Sequence, residues 1–587
     1  MPWKMVTDPL DNLGLSAVVA AIPILYLFWA LAYMRMKGHW AAISGLTIAV
    51  LTAVIGFGMP PQQAVLAAIL GSLFGLWPVA WIVITAIFIL SLSMRTGQFE
   101  IIRNSLASVT DDRRIQALLI AFSFGAFIEG AAGFGTPVAI TAAVLIGLGF
   151  EPLYAAGICL IANTAPVAFG AIGIPIIVAS QVSGIDQMAI SQLVGRTLPF
   201  LSVLIPFYLV ILMAGWEKGM TVWPACLVSG GSFGITQWFV SNYIGPTLPD
   251  IMASLVSIVC LTVFVHLWHP KESWTFEHEP DSAGREKLRY NGGQVFRAWA
   301  PFIILSLLVA AWGVKPIRAV LDYYALVPIK IEGLHNMVIR GGKPMAAVYN
   351  FNMLSAAGTA ILFAAIFSIP VMGASVSTVV TVGMDTLKRL RWSVVTISAI
   401  LGFAFIMNYS GMAVTLGYAF AQTGVFFPFF AAFLGWLGVF MTGSDTSANA
   451  LFGKLQEVTA RQIGVDPVVT VAANTSGGVC GKMISPQSLS VATAAVGLVG
   501  HESDILHFTL KHSLILTTVI GIFALLQAYV IQWMVPVYKA AVVATPGAAT
   551  AAAAPFSPTE GLNYLGIAAA IIFLVIIISI VMGKAEE

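Results

Sequence analysis

The sequence predicts an all-α polytopic membrane protein of about 12 to 14 transmembrane helices, built from two internal repeats with broken or re-entrant helices. Three observations carry that prediction. Of the 587 residues, 59% are hydrophobic and only 9% are charged, whereas a water-soluble surface usually needs about 25% charged residues. Apolar runs of roughly the 20 residues that span a bilayer recur along the chain. Finally, a polar phrase is written twice: Ala162-Asn163-Thr164 with Gly170 and Pro175 returns as Ala473-Asn474-Thr475 with Gly481 and Pro486, each residue displaced by 311 positions (474 − 163, 486 − 175). Two helices are therefore expected to be broken in the same way. Inside a bilayer, non-helical backbone persists only where it lines a protein-walled cavity, so matched breaks in two repeats mark a substrate or ion site.

The first apolar run, Leu15 to Met34, follows a short polar tail. It has no basic segment before it and no small-residue cleavage site after it, so a retained helix is expected rather than a signal peptide. Further runs are Val79 to Met94, Thr197 to Ala214, Trp223 to Val240, Ile251 to Trp268, Phe302 to Trp312, Leu354 to Met372, Val394 to Val414 and Ile515 to Val535, with shorter or Gly-rich stretches between them. Short basic loops favour the cytoplasm. Arg35 and Lys37 after the first run therefore put the N-terminus outside, and the loops carrying Arg95, Arg103, Arg113 and Arg114, and Lys388, Arg389 and Arg391, are expected inside. The polar segments His269 to Arg297 and Lys315 to Asn352 are too long for that rule to assign a side. The core is expected to span 1–536. An Ala/Pro/Thr-rich tether, 537–561, then leads to a last apolar helix, Leu562 to Met582 within 562–587, on which no chemistry is placed.

A second internal match extends the duplication. Ala126 to Gly133 resembles Ala404 to Gly411 at a displacement of 278 (404 − 126). The later copy thus holds 33 more residues between its landmarks (311 − 278), enough for one further span. The repeats are read as about 80–215 and 354–535. The four cysteines, Cys159, Cys226, Cys260 and Cys480, lie in apolar segments without paired spacing and are expected in the core. A net charge of +2 makes no case for nucleic acid, and no metal or other cofactor is expected.

Three ionisable residues stand inside this apolar context. Glu129 follows the run Leu118 to Ile128 and precedes a Gly-rich stretch. An ionised carboxylate near the bilayer centre costs about 2.5–3.5 kcal/mol on insertion scales, so an acid kept there is by default functional, here as a proton acceptor. Asp445 sits among Thr442, Ser444, Thr446 and Ser447, residues that cap helices and also offer hydroxyls to an ion. Lys482 is the only Lys or Arg between Arg461 and Lys511. A buried ammonium needs a counter-charge, for which Asp445 or a carboxylate substrate is the expected source. The stretch Ser476 to Met483 superficially resembles a phosphate-binding loop, but Ser476 replaces the first Gly and Met483 replaces the magnesium-binding Ser or Thr. Gly230-Gly231-Ser232-Phe233-Gly234 fits the nucleophile-elbow pattern, yet it lies in an apolar helical run where small residues serve packing. His501, His507 and His512 lack the spacing of helix-face metal ligands.

At these residues the chain resembles the lactate permease family of bacterial secondary transporters. The phrases that carry the resemblance are Phe127 to Gly135, Asn163 to Gly170, Gly435 to Phe440, Thr442 to Ser447 and Gly481 to Ser488, and it runs from about the first span to Pro536. The resemblance implies proton-coupled uptake of lactate, and often glycolate, by a multi-pass protein of the bacterial inner membrane. The expected partners are then a small carboxylate, protons and the lipid bilayer.

Residues and resemblance together point to a proton symporter for small 2-hydroxymonocarboxylates: L-lactate, D-lactate and glycolate. Asn163, Thr164, Asn474 and Thr475, with amides of the broken helices, would hold the substrate carboxylate, and Lys482 would add charge. Ser485 and Gln487, or Ser444 and Thr446, would read the 2-hydroxyl. Glu129 is the first choice of proton carrier and Asp445 the second. Two other readings compete: a sodium-coupled carboxylate carrier using the Asn, Thr and carbonyl oxygens, and a membrane-embedded hydrolase dependent on Ser232.

Overall fold

The apolar runs fold as helices in a computed structural model that describes residues 2–133, 135–276 and 290–538. Ten of them are long and apolar enough to cross a membrane, or eleven if the pair Pro152–Ala162 and Val167–Ser183, bent by 63°, is one span. The expected twelve to fourteen included the helix at 562–582, which lies outside the described residues together with nearly all of its tether. Two further apolar helices, Thr136–Gly147 and Ala357–Met372, are only 12 and 16 residues long. Burial separates the wall of the bundle from its centre. The helices Leu13–Leu31 and Gly38–Gly56 are one-third buried, whereas the apolar window of Arg113–Ala131 is buried throughout.

The match displaced by 278 has a structural counterpart. Gly133 and Gly411, displaced by 278, each end a helix in the left-handed region, with φ of 61° and 93°. They divide Gly125–Ala131 from Thr136–Gly147 and Val376–Ser410 from Met412–Phe420. Between these glycines and the Asn-Thr phrases, the second copy contains the additional 18-residue helix Asp445–Gln462.

The phrase displaced by 311 is not broken in the same way in its two copies, and this corrects the expectation. In the first, helix Pro152–Ala162 stops before Asn163. In the second, Pro467–Lys482 runs unbroken through Asn474 and Thr475, and the chain breaks only at 483–485. The physical reason is Pro166, which lacks an amide and forbids a continuing helix. Its counterpart is Gly477 (477 − 166 = 311), which a helix tolerates. Regular helix resumes at the aligned prolines, Pro175 and Pro486. Just before Pro175 the chain makes a left-handed turn through Ala171, Ile172 and Gly173 (φ 45°, 59° and 73°). For the two non-glycine residues this costs about 1–2 kcal/mol each.

Among the described residues, the polar segments carry five short strands. Leu326–Lys330 pairs antiparallel with Val348–Asn352, and Val338–Arg340 pairs with Lys343–Pro344 and, in parallel, with Trp3–Lys4. The N-terminal segment expected as a polar tail is thus folded onto the molecule. It continues to the Gly411 break, where the Thr415 hydroxyl donates to the Thr7 carbonyl at 2.7 Å.

Candidate functional site

The two repeats meet around a cavity of about 40 Å³, room for about one water at its liquid volume. Glu129, Gly170 and Ala171 line it from the first repeat. Ser444, Asp445, Thr446, Lys482 and Gln487 line it from the second.

Its centre is an ion pair between residues 353 positions apart: Lys482 Nζ lies 2.6 Å from Glu129 Oε1. The other carboxylate oxygen, Oε2, accepts from Asn163 Nδ2 at 3.1 Å. Both partners are buried, Glu129 at 2% exposure and Lys482 at 7%. The sequence reading had expected Asp445 or the substrate as the counter-charge, and Glu129 takes that place. The break in the first repeat makes this possible, because it brings Gly170 against the carboxylate. A Cβ at Gly170 would stand 2.6 Å from Glu129 Oε1, so only bare backbone fits.

Asp445 occupies the first turn of helix Asp445–Gln462. The cap is Ser444, whose Oγ accepts from Ser447 N at 3.3 Å. Asp445 is 3% exposed, and neither carboxylate oxygen has a hydrogen-bond partner among the described residues. The helix N-terminus supplies partial positive charge nearby. Gly478, from the facing helix, leaves the space the carboxylate fills, since a Cβ there would overlap Asp445 Oδ1.

The remaining expected residues divide. Gln487, Ser444 and Thr446 line the cavity. Asn163 reaches it through Glu129, with its own Oδ1 unpartnered among the described residues, as is the buried Thr164 Oγ1. Asn474 and Thr475 sit apart from the cavity and turn toward Asn449, whose Oδ1 accepts from Asn474 Nδ2 and Thr475 Oγ1, both at 2.9 Å. Gln456 donates to Asn474 Oδ1 at 3.0 Å, and Asn449 Nδ2 donates to the Pro175 carbonyl at 3.2 Å. The second Asn-Thr pair is thus a clamp that fixes the additional helix to the restart of the first repeat's broken helix. Ser485 caps the helix Pro486–Val496 by accepting from Ser488 N at 3.2 Å.

Two groups escaped the sequence reading. Asn449 is the hub of the clamp, and its signal was an amide one turn after Asp445. Asp250 is a buried acid on helix Pro249–Leu267, packed against Gly130. Its signal was a lone carboxylate at the head of an apolar run.

The enzyme foothold is a packing feature in this structure. Ser232 donates to the Val228 carbonyl of its own helix at 2.6 Å, and a Cβ at Gly230 would come within 2.8 Å of the Ser202 carbonyl. The three histidines point to different partners: His501 to Asp504, His507 to the Ser503 carbonyl and His512 to Tyr208.

The sequence profile of the family described as L-lactate permease matches residues 16–531. Among curated proteins, glycolate permease GlcA of Escherichia coli (strain K12) is 54% identical over 554 residues, covering 91% of this chain and 99% of that protein. L-lactate permease of Bacillus subtilis (strain 168) is 51% identical over 563 residues, covering 91% and 100%. L-lactate permease of Escherichia coli (strain K12) is 50% identical over 548 residues, covering 91% and 100%.

Proposed function

The chain belongs to the L-lactate permease family of multi-pass membrane transporters, and from that premise we propose that it is a proton symporter for small 2-hydroxymonocarboxylates, with Glu129 as proton carrier and Lys482 as anion site. The observation that carries this reading is the Lys482–Glu129 ion pair in a cavity that also holds the unpartnered Asp445. The buried site contains more carboxylates than ammonium groups. Adding a substrate anion would further raise an uncompensated buried charge, which is strongly unfavourable. The anion binds when it replaces Glu129 on Lys482, and Glu129 then needs a proton. One substrate and one proton therefore bind together.

The substrate carboxylate sits on Lys482 and the amides that begin helix Asp445–Gln462, a favourable place for an anion. Gln487, Ser444 and Thr446 are positioned for the 2-hydroxyl. The cavity of about 40 Å³ is smaller than such a substrate needs, so the repeats part to admit it. Sodium coupling is less well supported, because Asn474 Oδ1 and Thr475 Oγ1 are already engaged within the clamp, which leaves Asn163 Oδ1 and Thr164 Oγ1 as the unpartnered oxygens of that set among the described residues, fewer than a cation needs.

The test is uptake of labelled L-lactate into vesicles. Wild-type uptake follows the proton gradient and collapses with a protonophore. In Glu129→Gln the ratio of gradient-driven uptake to lactate exchange falls sharply; an unchanged ratio, or sodium-dependent uptake that resists protonophore, overturns the proposal. Competition by D-lactate, glycolate and pyruvate ranks the substrates.

A further inference from the structure

Asp250 lies beside Glu129 and is not among the residues that line the cavity. It is 1% exposed and packs against the residue that follows Glu129: a Cβ at Gly130 would stand 2.8 Å from Asp250 Cβ. Its Oδ1 receives one long hydrogen bond, 3.5 Å from Gln237 Nε2, and its Oδ2 has no partner among the described residues. Gln237 is otherwise committed, donating to the Ala165 carbonyl at 3.2 Å and accepting from Ser202 Oγ at 2.8 Å. The charged groups on the elements packed around Asp250 are Glu129 and, beyond it, Lys482, which Glu129 already engages. An ionised carboxylate with so few donors is costly in this conformation, whereas its protonated form needs little.

From Asp250 a seam of buried hydroxyls leads away from the cavity. Ser254, whose hydroxyl donates to the Ile251 carbonyl at 2.9 Å, and Ser257, whose hydroxyl donates to the Ser229 carbonyl at 3.0 Å, follow on the same helix, about 6 and 10 Å along its axis, so a proton passes between Asp250, Ser254 and Ser257 only when these hydroxyls turn. Ser257 joins Ser123 Oγ at 2.8 Å and Ser229 Oγ at 3.3 Å, and all four serines are fully buried. A hydroxyl donates one hydrogen bond and retains acceptor lone pairs, as a proton path requires. The helices bearing Ser123 and Ser229 begin beside Arg114, which is ion-paired to Asp112 at 2.5 Å and hydrogen-bonded to Thr221 at 2.7 Å. Arg114 and Thr221 line a vestibule of about 1780 Å³, shared with Lys218, Trp268 and Lys271.

We propose that Asp250 is a second proton-binding site, which takes the proton from Glu129 once the substrate has left and releases it along the Ser254–Ser257–Ser123–Ser229 seam toward the Arg114 face. In the handover the Glu129 carboxylic acid becomes a carboxylate and re-forms its pair with Lys482, while the Asp250 carboxylate becomes a carboxylic acid. The described conformation is the state after that step. Substrate and proton thus leave the site by different routes. The inference rests on proton symport through Glu129 and adds a residue that lies outside the substrate cavity.

The test uses the full chain in proteoliposomes, reading gradient-driven L-lactate uptake, lactate exchange and the infrared carbonyl band of protonated carboxylic acids. In Asp250→Asn the ratio of gradient-driven uptake to exchange falls on the order of 10²-fold, the scale of losing a positioned proton donor. The substrate-free protein at neutral pH also loses one aspartic-acid band, identified by isotope labelling of aspartate carboxyls. A wild-type ratio, or an undiminished aspartate band, overturns the proposal. Should Asp250→Asn lose exchange as well, Asp250→Glu decides: its labelled aspartate band must shrink and a glutamic-acid band appear, and the absence of that change overturns the proposal. If Glu129→Gln retains gradient-driven uptake, the symport reading itself fails. If Glu129→Gln loses it while Asp250→Asn keeps it, only the handover fails.

Discussion

The two copies of the Asn-Thr phrase share a spelling and differ in use. In the first, Pro166 stops the helix and the irregular backbone delivers Asn163 and Gly170 to Glu129. In the second, Gly477 lets the helix continue, and Asn474 and Thr475 are spent on Asn449, while Lys482 at the helix end crosses to the first copy. A duplicated sequence therefore does not imply a duplicated site. One copy supplies the carboxylate and irregular backbone, and the other supplies the hydrogen-bonded clamp and the cation.

The sharpest way to break that comparison is to remove the cation. Lys482→Met leaves Glu129 buried and unpaired, which is expected to remove about 3–5 kcal/mol of stability and to abolish uptake. The double variant Glu129→Gln/Lys482→Met should melt closer to wild type in detergent. Equal melting of the single and double variants would show that the pair is not coupled.

Aligned glycines come next. In Gly170→Ala the new Cβ displaces Glu129 Oε1, and uptake is expected to fall on the order of 10²-fold, as for about a 1 Å misplacement of a reacting group. Gly481→Ala, its counterpart, would instead press on the Trp436 carbonyl, lowering the melting temperature while leaving the pH profile of the residual uptake as in wild type. Similar pH profiles for the two variants would erase the distinction between the copies.

Smaller effects separate the amides. Asn474→Ala removes one hydrogen bond each from Asn449 and Gln456, which keep Thr475 and the Ala431 carbonyl, and should cost about 1–3 kcal/mol in thermal stability. Asn163→Ala removes one donor from Glu129 and should change the pH dependence of uptake more than it changes melting. Smallest is Pro166→Ala, where losing a ring constraint in a segment already non-helical is expected to cost about 0.4–1 kcal/mol.

Much of this arrangement was legible in the sequence, for physical reasons. An acid or a lysine inside apolar sequence is expensive and therefore conspicuous, so Glu129, Asp445 and Lys482 announced themselves. Glycine and proline record local backbone needs, and the spacing of Gly133 and Gly411 showed that the two stretches match. What was not legible is that Gly411 ends its helix as Gly133 does, and above all pairing over distance: nothing near Lys482 names Glu129, 353 residues away. The same limit hid Asp250, whose meaning comes from its packing on Gly130, and the Asn449 clamp, which ties three helices together. The identical wording of the two Asn-Thr phrases concealed Pro166 opposite Gly477, the one substitution that sends the helices different ways.

The segment Arg113–Ala131, wrapped on every side by other helices, has a consequence for biogenesis. Lipid never contacts it in the finished protein, so its sequence is released from the demand for uniform apolarity and can carry Gln116, Ser123 and Glu129. During synthesis the same segment has no such shelter until chain hundreds of residues later has been inserted, including the Lys482 that pairs with its buried acid. Its final seating is thus a late event in assembly, and translation must run nearly to the end of the described chain before the helix that carries Glu129 has its permanent surroundings.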